Sequence, residues 1–193
     1  LYLVEQGIEG RKMLVTVAGQ NAFRNWFSVW HWQQGKTELE FLDITSTPAI
    51  DSIEKLTLDG TLVASRRVGD TLYVVTRYTP LIEGYQPWPV DKVQEAKNAA
   101  VLASTSLPAI LPRVVDSRDE VQALVEEMGC YLPLSAVDGS PDPSIITISA
   151  IPLAHPKALR SSCFVGASET LYMSSDSLYL ATTRWDYTMP AVD

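Results

Sequence analysis

The sequence predicts an all-β fold with a minor helical insertion, a β-propeller fragment of about three four-stranded antiparallel blades. Three observations predict it. Short stretches of period-two alternation follow one another on tight polar turns. No helical pattern separates most of them, which favours antiparallel meanders over strand–helix–strand units. And one phrase of the chain occurs twice.

The predicted strands are Lys12 to Ala18, Trp26 to Gln33, Glu38 to Ile44, Ile53 to Leu58, Leu62 to Val68 and Leu72 to Tyr78. After a break come Ile145 to Ile151, Ser161 to Gly166, Thr170 to Ser174 and Leu178 to Thr183. The repeat pairs residues 41–80 with residues 147–187. Each copy runs strand, Pro-containing link, strand, turn, then Thr-Leu opening a third strand and Leu-Tyr opening a fourth. Thr61-Leu62 thus matches Thr170-Leu171, and Leu72-Tyr73 matches Leu178-Tyr179. A unit of about 40 residues with four strands is the size of one blade.

Between the copies lies an insertion, about residues 81–143, with another character. Val90 to Ser104 is Ala-rich and lacks Gly and Pro, so it predicts a helix with Pro89 at its entrance. A second helix is predicted from Arg118 to Met128. There Ser117 and Glu120 have capping-box spacing, Val121, Leu124, Val125 and Met128 share a face, and Gly129 stops the pattern. The link between them, SLPAILPRVV, is predicted to be extended. The whole of 1–193 is read as a single partial domain carrying this insertion.

Composition narrows the function classes. Hydrophobic residues at 46% and charged residues at 20% are the balance of a chain that folds. No apolar stretch is long enough to span a bilayer. The chain opens at Leu1 inside a strand pattern, which reads as an excised or processed piece. A net charge of −8, with Arg11-Lys12 and Arg66-Arg67 as the adjacent basic pairs, argues against nucleic acid.

Candidate chemistry is sparse, and no cofactor is expected. Gly35-Lys36-Thr37 resembles the end of a phosphate-binding loop, but Trp30 stands where that motif needs Gly, so the segment is read as a turn. No nucleophile elbow, HExxH or GxGxxG occurs. A Ser-His-Asp triad would depend on His31 or His155, which sit in a Trp-rich strand and a Pro-containing link. Asp138 to Asp142 offers oxygen ligands without calcium-loop spacing. The pairs Asp116 with Asp119 and Glu126 with Glu127 fit helix ends and solvent faces better than acid–base catalysis. In Trp26 to Trp32, alternation puts Trp26, Trp30 and Trp32 on one face. That row is a candidate for stacking on a sugar or anchoring a protein; the competing role, filling the wedge between blades, is the one face-to-face blade packing favours. Cys130 and Cys163 lack metal-site spacing and leave two readings open, free thiols or one disulfide.

The phrases FLDITSTPAID, VGDTLYVVTRYTP and SETLYMSSDSLYLATT, in this order around LPAILPRVV and CYLP, resemble bacterial secreted proteins with a C-terminal β-propeller distantly related to WD-repeats. The resemblance covers most of the chain, the first 25 residues contributing little. It implies an extracytoplasmic location, periplasmic or secreted, and carries no catalytic residues. It also implies that Cys130 and Cys163 form a disulfide. About 130 residues remain outside the insertion, enough for about three blades, whereas closed rings use about 4–8. Either further sequence completes the ring, or the fragment is an open arc whose edges pair with another copy.

The expected function is a non-catalytic extracytoplasmic binding or scaffolding module for a protein or carbohydrate ligand. The alternatives are a propeller hydrolase completed by missing blades and a purely structural domain of a longer protein.

Overall fold

The computed structural model describes residues 1–19, 35–46, 48–132, 144–166, 170–174 and 177–181. The described residues form three sheets, and period-two alternation accounts for most of their strands. The first sheet begins with β1 (Tyr2–Val4), β2 (Met13–Gly19), β3 (Lys36–Asp43) and β4 (Asp51–Asp59), an antiparallel meander. The second takes β5 (Thr61–Val68) and β6 (Thr71–Tyr78), and after the insertion β10 (Ile145–Pro152) and β11 (Arg160–Val165). The third holds β12 (Thr170–Met173) and β13 (Leu178–Ala181). The predicted strand at Trp26 to Gln33 lies outside the described residues.

Between β6 and β10 run α1 (Lys92–Ser104), α2 (Leu107–Ile110), β7 (Arg113–Asp116), β8 (Val121–Ala123) and β9 (Cys130–Tyr131). The insertion serves both sheets. β7 pairs with β4 and β8 with β7, extending the first sheet to six strands. β9 pairs parallel to β11, extending the second to five. Short strands thereby cover part of each outer edge, Leu56 to Leu58 of β4 and Cys163 to Phe164 of β11.

The sequence repeat is out of phase with the sheets by two strands. Each copy was expected to be one unit; instead its first two strands close one sheet and its last two open the next. The switch lies at Gly60, the single residue between β4 and β5. Its φ of +107° suits glycine, and a Cβ there would stand 3.0 Å from both the Arg77 carbonyl oxygen and the Thr76 Cβ. The Gly60 amide donates to the Gly35 carbonyl at 2.8 Å, and the Thr37 hydroxyl donates to the Gly60 carbonyl at 2.8 Å. Gly35-Lys36-Thr37 is therefore not the expected turn: Lys36 and Thr37 open β3, and Gly35 is small because Thr61 presses against it.

Facing side chains of the two large sheets make the main core. Val15, Leu39, Phe41, Leu56 and Leu58 from the first meet Leu72, Val74 and Ile151 from the second. Burial of each large apolar side chain contributes about 1.5–3 kcal/mol. Tyr2 and Ser65 hydroxyls bond at 2.9 Å across the same boundary.

Two expectations for the insertion fail. The link after α1 is not wholly extended, since Leu107–Ile110 forms a helical turn. The helix predicted over 118–128 is absent, replaced by a β-hairpin whose turn is organised by Asp116. Its Oδ1 accepts from the amides of Arg118 at 2.8 Å and Glu120 at 3.0 Å, while Asp119 adopts φ +61°. Leu124 enters the core of the two sheets and Val125 a second cluster with Tyr78, Ile145 and Cys163. Val121 and Met128 stay exposed, so the apparent helical face never forms. The first predicted helix does form, and Asp91 caps it by accepting from the Gln94 amide at 2.8 Å.

Asp116 also receives the ammonium of Lys157, which comes from the link between β10 and β11 and lies 3.4 Å from Glu54 of β4. One cation thus joins the second sheet to the first and to the insertion. At the other end of β4, buried Asp59 accepts from Lys36 and from the Arg113 amide at 2.9 Å, fixing the start of β7.

Two predictions follow from these contacts. Gly60→Ala should cost about 1–3 kcal/mol in a urea melt. Gly69→Ala should cost less, because Gly69 also has positive φ, +56°, but open space around it. The Lys157 hydrogen bond, helped by the Arg118 and Glu120 amides against burial, lowers the Asp116 carboxyl from 3.8 to about 2. Because the folded value lies below the unfolded one, its contribution is complete above about pH 4 and is lost as pH falls through about 2. Asp116→Asn should therefore destabilise the protein at neutral pH, and the gap to wild type should close over that acid window in melts followed by circular dichroism.

Candidate functional site

Strand pairing places a set of side chains on the face of the second sheet that points away from the first. Tyr73 of β6 is opposite Ala150 of β10, and Ala150 is opposite Arg160 of β11. Two residues further along, Ile148 is opposite Ser162. Two further again, Phe164 is opposite Tyr131 of β9. Residues of the other parity, such as Leu72, Val74, Ile151 and Cys163, are buried towards the first sheet and the insertion.

These side chains line an open groove of about 420 Å³. Ile148 and Ala150 form its apolar floor. Tyr131 and Phe164 stack at one end, ring centroids 5.1 Å apart and planes inclined by 19°. Tyr131 is 64% exposed and Phe164 37%, so the pair presents ring surface to solvent. Arg160 stands towards the other end. Among the described residues every other arginine is engaged: Arg11 with Asp43, Arg67 with the Leu3 carbonyl, Arg77 with Ser144, Arg113 with Asp59, Arg118 with Asp116, and Arg66 has an interaction as well. The Arg160 guanidinium has no partner.

A disulfide between Cys130 and Cys163 holds the aromatic end in place, with Cα atoms 4.4 Å apart. The two cysteines are register partners, and each immediately precedes one ring of the stack. Alternation then turns the sulfurs to the buried face and the rings to the open one. The Cys163 amide also donates to the Gly129 carbonyl at 3.2 Å. Since β9 has only Cys130 and Tyr131, the covalent tie, not a long ladder, positions Tyr131.

The remaining sequence candidates fall elsewhere. Trp26, Trp30, Trp32 and His31 lie outside the described residues, as does the segment 138–142. His155 is exposed beside the turn Pro156–Ala158. Asp116 is engaged by Lys157 and the hairpin amides, and Glu126 and Glu127 are exposed. The sequence reading missed Tyr73, Tyr131, Arg160 and Phe164. The available signal was positional: with Cys130 and Cys163 paired on parallel strands, as they are here, Tyr131 and Phe164 neighbour each other on the opposite face.

Among the described residues the lining offers aromatic and aliphatic surface, hydroxyls and one guanidinium, and no carboxylate or imidazole. That chemistry suits holding a ligand. Among the described residues no helix is long and apolar enough to cross a membrane. A family model described as Beta propeller domain matches residues 2–192. No curated protein and no solved structure matches the chain.

The disulfide closes a loop spanning 33 positions, for which chain entropy predicts a contribution of about 3–4 kcal/mol. Cys130→Ala with Cys163→Ala should lose that stability in denaturant melts, and reductant should shift wild type but not the variant. A free-thiol count on denatured protein should give none before reduction and two after.

Proposed function

This chain belongs to the Beta propeller domain family, and we propose that it is a non-catalytic binding module working outside the cytoplasm, with the groove of the second sheet as its carbohydrate-binding surface. The observation that carries this reading is the exposed Tyr131–Phe164 stack on an apolar floor. Flat aromatic surface packs against the C–H face of a sugar ring, and the hydroxyls around it can bond to ring substituents. The disulfide supports both halves of the proposal. It preorganises the stack, which lowers the entropic cost of binding, and such bonds persist in oxidising compartments.

The groove's place in the fold supports the same reading. β12 approaches the second sheet at β5, at the far side from β10, β11 and β9. Blades arranged radially diverge towards the rim, so outer strands of neighbouring blades leave a wedge between them. A ligand lying in that wedge would touch the groove described above.

Affinity electrophoresis through gels containing soluble polysaccharides tests the proposal. The purified, oxidised protein should be retarded by at least one polymer, and Phe164→Ala and Tyr131→Ala should each relieve the retardation by about 10-fold in apparent affinity. Unretarded migration in every polymer, or cleavage products accumulating in proportion to protein concentration, would overturn it.

A further inference from the structure

We propose that the groove's ligand is an acidic saccharide, a run of uronic acid rings whose carboxylate is taken by Arg160; this rests on the carbohydrate-binding reading above. Arg160 is the one arginine among the described residues with no partner, in a chain of net charge −8 where carboxylates are plentiful. A planar guanidinium recognises a carboxylate through two parallel hydrogen bonds, a geometry that a neutral hydroxyl cannot match.

Spacing fixes the size of the ligand. Arg160 and Phe164 are four positions apart on the same face of β11, about 13 Å along the strand, the reach of a short di- or trisaccharide. One ring lies on the Phe164–Tyr131 stack, the chain crosses Ile148 and Ser162, and a carboxylate further along reaches Arg160. The exposed Ser162 hydroxyl lies between them.

The face favours a saccharide over an added peptide strand. Strand addition needs a free edge, and the floor strand β10, flanked by β6 and β11, offers none, while β9 covers β11 at Cys163 and Phe164. The exposed ring stack beside that floor is instead surface for a sugar ring. The acidic surface elsewhere also repels polyanions, so binding of one would report a local site rather than general attraction.

Oligogalacturonate and its methyl ester, of equal length, provide the test, with titration calorimetry as the readout. The acid form should bind wild type, and Arg160→Gln should weaken it by about 10- to 100-fold. Methyl esterification should weaken binding to wild type by a similar factor and make Arg160→Gln without further effect. Melting temperatures of wild type and Arg160→Gln should agree, since the side chain has no partner to lose. Equal binding of acid and ester, unchanged in Arg160→Gln but lost in Phe164→Ala, would overturn the acidic ligand and leave the groove reading standing. Acid-form binding unaffected by Phe164→Ala would overturn the groove reading itself. Binding of a poly-glutamate peptide in place of the uronate would overturn the saccharide.

Discussion

The apolar boundary between the first two sheets is the contact on which the rest of the structure depends. Neither four-strand meander can stand alone, because each carries a full row of large apolar side chains on one face. Phe41, Leu39 and Val15 meet Leu72, Val74 and Ile151 there, all with no exposed surface. Once this boundary forms, Gly60 must turn the chain from one sheet to the next in a single residue, which explains its backbone geometry and the close fit of Gly35 against Thr61.

The insertion is intelligible as an answer to the edges this arrangement leaves. It adds β7 and β8 to the first sheet and β9 to the second, so one excursion covers part of each outer edge. Its polar anchors are where the cost of misplacement is greatest. Asp59 and Asp116 are nearly buried carboxylates, each satisfied by a lysine ammonium, with one backbone amide at Asp59 and two at Asp116. An unpaired buried carboxylate would be strongly destabilising, so these pairs specify where the insertion docks.

Much of the fold was legible in the sequence, because alternation and turn residues are local signals. Nine described strands were anticipated closely, and the Ala-rich helix at Lys92–Ser104 likewise. The spacing of Val121, Leu124, Val125 and Met128 satisfied a helix just as well as a hairpin. The hairpin is held by pairing of β7 with distant β4 and by Lys157, 41 positions from Asp116, contacts no local pattern encodes. The phase of the repeat was lost for a similar reason: periodicity counts strands but does not say which turn passes between sheets. The opening strand pattern at Leu1 to Val4 became β1, whereas the short strands β7, β8 and β9 lacked enough residues to show a period. The groove was the least legible feature. Tyr73, Tyr131, Arg160 and Phe164 are scattered over 92 positions and come together only through register; the tryptophan row, conspicuous in sequence, drew attention instead.

The tie between Cys130 and Cys163 has a mechanical consequence. A covalent bond at the outer edge of the second sheet withholds the 33 positions it spans from any pull applied to the chain ends. About 110 Å of contour length is thus unavailable to extension while the bond is intact. Load bypasses the β10–β11 hairpin through the sulfurs, so under tension β9 and its tyrosine would stay beside β11 after the first sheet had been drawn out.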